Sequence, residues 1–228
     1  MKILIGIQAR SQSTRLPQKI FKKIGDKDLI EWVHNACVEA ERRLRVDGLN
    51  CETWVLGPHA DKELIEYCER KEWKLKTPHC NDDDLITRYK KVLEAGEFSH
   101  LVRVTSDCWQ MNPEIIMEAV HLMDKEKADY VSNTIHRSFI EGLDIQACSS
   151  HGLNWFDKFQ SLKREHPFCL FDKNEAIRES FETRGFKYME MINPRAEWLI
   201  RTSIDTESDI LMANKIYEKA IKRKNGNG

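Results

Sequence analysis

An unbroken apolar run, Ile3-Leu4-Ile5-Gly6-Ile7, ends at a polar, proline-containing stretch from Gln8 to Lys19. Such a run has no polar face to offer water, so it reads as a strand buried on both sides that feeds a functional turn. Covering layers are at hand in the following residues. Ile30, Val33, Ala36, Cys37 and Ala40 recur at helical spacing, and Glu52 to Leu56 reads as a second strand stopped by Gly57-Pro58. Asp61 to Lys71 is amphipathic, and Trp73 to Lys76 is a short third strand. Asn81 has the chemistry of an N-cap for a helix through Ala95, with Asp82, Asp83 and Asp84 in its first turn. Leu101 to Thr105 is strand-like and runs into Ser106-Asp107-Cys108. Asn112-Pro113 then opens a helix to about Met123, and Tyr130 to Ser132 is another strand. This alternation predicts an α/β fold with a mostly parallel sheet flanked by helices, in a single domain. Beyond residue 134 the pattern loosens. Strands are expected at Leu143–Cys148 and Phe186–Ile192, and helices near Gly152–Leu162, Asn174–Arg184 and Glu207–Lys222. One domain over residues 1–222, with halves at 1–134 and 135–222 and a flexible tail at 223–228, is the expected organisation.

A chain of 228 residues can bury a sizeable core, roughly 70–75% of its unfolded surface. Lys and Arg number 36 against 37 Asp and Glu, so no basic field favours nucleic acid and any polyanion must meet a local cluster. The seven cysteines are odd in number, lie far apart and form no C-x-x-C, which fits reduced thiols better than disulfides or a zinc site. The first residues are too weakly apolar for a signal peptide, and no run approaches membrane-spanning length. A soluble cytoplasmic protein without membrane or nucleic-acid partners is the expectation.

Three segments carry chemistry. Gln8 to Lys19 follows the first strand, where open α/β sheets bind ligands at the carboxyl ends of strands. Its three cations, Arg10, Arg15 and Lys19, can meet several negative charges, with Ser13 and Thr14 as further donors. The glycines of the Walker loop and of G-x-G-x-x-G are absent, so side chains must supply the charge, and a dinucleotide oxidoreductase is disfavoured. A solvated turn is the plain alternative. Asp107 ends a predicted central strand, where a carboxylate can hold Mg²⁺; Asp after a strand is equally at home in a turn. Asp205 and Thr206 stand just before the last helix, either as metal ligand or as caps.

In order along the chain, these residues resemble a family. Gln8-Ala9-Arg10-Ser11-Gln12-Ser13-Thr14-Arg15-Leu16-Pro17-Gln18-Lys19 is similar to the Q-A-R-x-x-S-T-R-L-P-x-K signature of the cytidylyltransferases. These include the 3-deoxy-manno-octulosonate and acylneuraminate cytidylyltransferases, and the resemblance is greatest to the spore-coat polysaccharide biosynthesis protein F group. It continues through Asp83 to Tyr89, Val102 to Cys108, Asp129 to Thr134, Glu141 to Asp144, Arg164-Glu165-His166 and Arg201 to Thr206. The resemblance implies a Rossmann-like, GT-A-like nucleotidyltransferase fold and transfer of CMP from CTP, with Mg²⁺, to an acidic sugar or other small anionic acceptor. Residues 1–134 would then form the nucleotide-binding half and 135–222 the acceptor-side half. Arg10, Arg15 and Lys19 would grip phosphates as the catalytic cations. Gln8, Ala9, Ser13, Thr14, Arg88 and Thr105 would complete the nucleotide site. Asp107 and Asp205 would share the metal, and Asn133, Asp144, Arg164, Glu165 and His166 would line the acceptor side. A homodimer is the assembly that several family members adopt.

The chain also departs from that pattern. Gln18 stands where relatives usually have glycine, Trp109 replaces a proline, Gln146 replaces a common glutamate, and Pro167-Phe168-Cys169 differs from Val-Thr-Pro. These changes are expected to cluster on the acceptor side, so they bear on the substrate more than on the reaction. Two other readings stay open: the same fold using another nucleoside triphosphate on a sugar 1-phosphate, and a degenerate nucleotide-binding scaffold. Asp82-Asp83-Asp84 reads as dipole-favouring residues rather than a metal cluster, His79-Cys80 lacks partners at zinc spacing, and Trp198 beside Leu199 and Ile200 reads as core.

Overall fold

The structure, a computed structural model, describes residues 1–159, 164, 166–193 and 202–226. Glu165 and Trp198 to Arg201 lie outside the described residues. The first strand, β1 (Lys2–Gln8), is central: Ile3, Ile5 and Ile7 enter one apolar cluster and Leu4 the other, so both faces are covered. Gly6 leaves room for Leu56 and Leu101 to pack onto the strand, because a Cβ there would lie 2.7 Å from Leu56 Cδ1 and force both side chains to shift. A small antiparallel hairpin, β2 (Lys23–Ile24) and β3 (Lys27–Asp28), was not foreseen; it leads into α1 (Leu29–Val46). Strand β4 (Asn50–Leu56), helix α2 (Lys62–Arg70) and strand β5 (Leu75–Lys76) follow, close to the expected bounds.

Helix α3 (Leu85–Ala95) starts later than expected. Its N-cap is Asp84, whose side chain accepts from Thr87 N at 3.0 Å. Asn81 instead closes a turn, taking Asp83 N on its side chain and Asp84 N on its carbonyl, which leaves Asp82 and Asp83 outside the helix. Strand β6 (His100–Thr105) and α4 (Pro113–Glu126) follow, the latter capped by Asn112 as its sequence predicts. The second half supplies β7 (Tyr130–Ser132), β8 (Gln146–Ser149), α5 (Ser150–Phe159), α6 (Cys169–Lys173), α7 (Glu175–Glu182), β9 (Tyr188–Glu190) and α8 (Glu207–Gly226), which continues past Lys222.

All but the small hairpin join one seven-stranded sheet in the order β5-β4-β1-β6-β8-β7-β9. It is mostly parallel, with β8 running antiparallel between β6 and β7 and pairing Arg103 with Gln146. Residues from α1, α2 and α4 build the core on one face; α3, α5, α6 and α7 build an aromatic-rich core on the other, including Tyr130, Phe156, Phe168 and Phe171. The chain leaves β1 toward β4 and returns on the other side to β6, so the connections after these two paired strands lead opposite ways, which is where such sheets bind ligands. A third cluster joins Leu16, Ile24, Trp109, Ile204 and Ile210, tying the loop after β1 to the start of α8. Among the described residues, no helix is long and apolar enough to cross a membrane.

Candidate active site

A cavity of about 290 Å³ opens at the carboxyl ends of β1 and β6. Gln8 and Ala9 come from the end of β1, Thr105 and Asp107 from the end of β6 and the turn after it, and Arg10, Ser13, Thr14, Arg15 and Lys19 from the basic loop. Arg88 joins from α3, so the nine residues expected to meet the nucleotide all line one space. Asp82, Asp83, Leu85, Arg103, Ser106 and His166 also line it. Five cationic side chains against three carboxylates make this lining favourable for an anion.

Three contacts shape the loop. Ser11 donates its backbone N–H and its hydroxyl to Asp61, at 2.7 and 2.6 Å, and Asp61 in turn caps α2. Gln18 N–H donates to Ser11 O at 3.0 Å, closing the loop on itself. Leu16 is buried in the third cluster. Gln18 adopts left-handed backbone geometry, φ 54°, which is the physical reason a glycine suits that position. Its side chain donates to Glu63 at 2.8 Å.

Lys19 stands at the centre of the charge arrangement. Its Nζ donates to Asp107 Oδ2 at 2.7 Å, Ile204 O at 2.8 Å and Asp205 Oδ1 at 3.1 Å. Arg15 reaches the same Asp205 oxygen at 2.7 Å. Burial opposes ionisation of Asp107, but the Lys19 ammonium outweighs it and holds the carboxyl below its usual 3.8. Asp205 is brought to Asp107 from the far end of the chain by backbone contacts: Ile204 N–H donates to Asp107 O at 3.1 Å, and Thr202 N–H to Glu141 O at 2.8 Å. Gly142 permits that second contact, since its φ is +105° and a Cβ would lie 2.6 Å from Ser203 N. Two convergent carboxylates and a carbonyl form an all-oxygen donor set, which suits magnesium and its habit of taking few protein ligands beside phosphate. Among the described residues, no group of three or more His, Cys, Asp or Glu gathers as a metal cluster, here or elsewhere, so this pair would need phosphate oxygens to complete a metal's shell.

Arg88 is almost fully buried; it donates to Asp82 O at 2.8 Å, while its Nε has no partner among the described residues. A buried unpaired donor costs about 1–3 kcal/mol, and this atom is closed to solvent. Arg103 escaped the sequence reading. It donates through Nε to Gln8 Oε1 at 2.7 Å and through Nη1 to Gln146 Oε1 at 2.5 Å. Gln146 in turn donates to Asp172 at 2.7 Å, and Tyr130 and Thr134 also donate to Asp172. Strand alternation was the available signal, because Arg103 and Thr105 share a face.

The family model described as Cytidylyltransferase matches residues 4–47, which hold β1, the basic loop and α1. The spore coat polysaccharide biosynthesis protein SpsF of Bacillus subtilis (strain 168) is 24% identical over 225 residues, covering 97% of this chain and 88% of that protein. The chain is similar to the cytidylyltransferases. A solved cytidylyltransferase from Leptospira borgpetersenii shares its fold at a TM-score of 0.77 and 23% identity, over 100% of this chain and 96% of that one. CMP:2-keto-3-deoxy-manno-octonic acid synthetase, solved with CTP, matches at a TM-score of 0.66 and 16% identity, over 96% of this chain and 100% of that one. Family match and shared fold together indicate a nucleotidyltransferase.

The residues expected on the acceptor side of a cytidylyltransferase divide between the cavity and its surroundings, where Asn133 stays beside Asp144. His166 lines the cavity. Asn133 is buried and occupied: its side chain donates to Leu143 O and accepts from Ile145 N, both at 2.8 Å, closing the loop between them. Asp144 accepts two hydrogen bonds from Arg137, each 3.0 Å. Arg164 ties α3 to α5 through Asp84 at 2.6 Å and Asp157 at 2.7 Å. None of these three is among the cavity-lining residues. The departures from the family pattern also separate. Trp109 packs in the third cluster beside Trp32, and Gln18 meets Glu63, so neither lies on the acceptor side.

Proposed function

We propose that the chain transfers CMP from CTP to an acidic sugar or another small anionic acceptor, releasing pyrophosphate, in the cytoplasmic synthesis of a surface polysaccharide or glycoconjugate. The observation that carries this reading is the gathering of Arg10, Arg15, Lys19 and Arg88 around one cavity beside Asp107 and Asp205. An acceptor oxygen attacks the α-phosphorus, the bond to the α,β-bridging oxygen breaks, and pyrophosphate leaves on the opposite side. Such a step is mostly positioning and charge neutralisation, which side-chain cations supply without glycine-rich backbone. Asp107 and Asp205 would hold magnesium, whose chemistry is to neutralise phosphate charge as a Lewis acid. Gln8 and Ala9 would face the base, and Arg88 would close the same pocket. A carboxylate or phosphonate acceptor is already deprotonated and needs no general base. A hydroxyl acceptor needs one, and His166 is better placed than Asp144, which Arg137 occupies. Asn133, Asp144 and Arg164 would act by holding the walls, and a homodimer completes this reading.

The test is a thermal-shift panel of CTP, UTP, GTP, ATP and dTTP, each with and without Mg²⁺. A ligand at about 100-fold its Kd adds roughly 2.7 kcal/mol, enough to separate a substrate from weak binders. CTP with magnesium is expected to give the largest shift. A preference for another base moves the chain to the sugar 1-phosphate branch, and no shift with any nucleotide favours the degenerate scaffold. Asp107→Asn is expected to fold yet lose turnover by about two orders of magnitude; near-normal turnover refutes its metal role.

A further inference from the structure

Lys19 occupies the one point where the proposed metal carboxylates converge. Its Nζ sits 2.7 Å from Asp107, 3.1 Å from Asp205 and 2.8 Å from the Ile204 carbonyl, an oxygen cage of the kind a hard cation takes. Its side chain is 12% exposed, against 66% for Arg15, the other cation on Asp205. Arg15 can therefore swing into solvent cheaply, whereas Lys19 must be drawn out. The cage itself has independent supports. Ile204 N–H is held by Asp107 O, Thr202 N–H by Glu141 O, and Ile204 packs with Trp109, so the carboxylates stay convergent without the lysine.

An ammonium and a divalent cation cannot share one oxygen-lined point, because they compete for the same lone pairs and repel each other. We propose that Lys19 and the divalent cation exclude each other at Asp107 and Asp205, so that the metal site opens only when nucleotide phosphates draw Lys19 away. This rests on the reading of those two carboxylates as metal ligands. Two charge balances then alternate. Without nucleotide, Lys19 and Arg15 neutralise the pair. With nucleotide, the metal does so, and both cations are released to the triphosphate. The device gives Lys19 a gating role in addition to phosphate binding. It makes metal and nucleotide binding cooperative, and it keeps free divalent cations off the empty enzyme.

The probe is Mn²⁺ alone, titrated into the nucleotide-free full chain and followed by the electron paramagnetic resonance signal of the free ion. Lys19→Met and Lys19→Gln remove the competing charge at similar length. Both are expected to bind Mn²⁺ about tenfold tighter than the wild type, and Asp107→Asn added to either is expected to abolish that gain. Arg15→Met should change Mn²⁺ affinity far less. Circular dichroism checks folding, and either Lys19 variant suffices if the other unfolds. Mn²⁺ binding that is equal to or weaker than the wild type in the folded Lys19 variants overturns the exclusion, while leaving the metal site itself standing. Mn²⁺ binding by no form, even with CTP added, removes the carboxylate pair as a metal site and the exclusion with it.

Discussion

Replacing Gly142 by alanine tests how the two ends of the candidate site are joined. Gly142 has φ +105°, and a Cβ there would lie 2.6 Å from Ser203 N and 2.9 Å from the Thr202 carbonyl carbon. The Thr202 hydroxyl also meets that Cβ, but the other two neighbours are backbone, so turning the Thr202 side chain aside does not relieve the contact. Holding a non-glycine residue in that region costs about 1–3 kcal/mol, and forcing an extra carbon into a packed contact about 1–3 more. A total near 2–6 kcal/mol is a large share of the about 5–15 kcal/mol that keeps a domain folded. Relief must come from moving residues 202–205, which breaks the Thr202 to Glu141 hydrogen bond and carries Asp205 away from Lys19. Urea denaturation reads the global cost, and the thermal shift on adding CTP with magnesium reads the site. Gly48→Ala is the control, because Gly48 has φ +84° but nothing within 4 Å of a Cβ. It carries backbone strain without a collision. Gly142→Ala is expected to lose more stability than Gly48→Ala and also most of the ligand-induced shift. Equal losses in the two variants, with the ligand shift intact, would refute the argument that a close backbone approach positions Asp205.

Gln146→Glu should cost about 1–3 kcal/mol, because Asp172 loses a buried donor and gains a like charge, which the charge-assisted bond to Arg103 offsets only in part. Burial already raises the Asp172 carboxyl above its usual 3.8. Raised carboxyls contribute stability that is present in acid and lost as pH rises, so the deficit should shrink as pH falls toward the raised titration range of Asp172; a pH-independent deficit in melting temperature counts against this. Arg164→Met removes the tie between α3 and α5 and should cost about 2 kcal/mol at neutral pH. Burial opposes the charges of Asp84 and Asp157, yet the Thr87 N–H, Lys90 and Arg164 hold both below the usual 3.8. Their contribution is therefore present above that value and lost as pH falls through the depressed range. The gap to wild type should close in acid, and a gap that stays constant down to about pH 3 rejects the ionic reading.

The sequence by itself determined the local framework. The apolar run of β1, the helical spacing of α1, the Asn112-Pro113 start of α4 and the basic loop after β1 are set by near neighbours, and their residues line or support the cavity. Short-range chemistry also named the cations of that loop correctly as neighbours of one space. Tertiary structure alone decided what depends on partners far along the chain. Whether Asn81 or Asp84 caps α3 turned on Arg164, which holds the Asp84 carboxylate from eighty residues away. Only the antiparallel insertion of β8 beside β6 sets Gln146 against Arg103, and this made an unnoticed strand arginine part of the cavity. Asn133 and Asp144 carried site-like chemistry in the sequence, yet the fold engages them with Ile145 and Arg137. A polar side chain near a site takes whichever partner the packing brings first. Local propensity cannot specify that partner, because the geometry that decides it exists only once distant strands have paired.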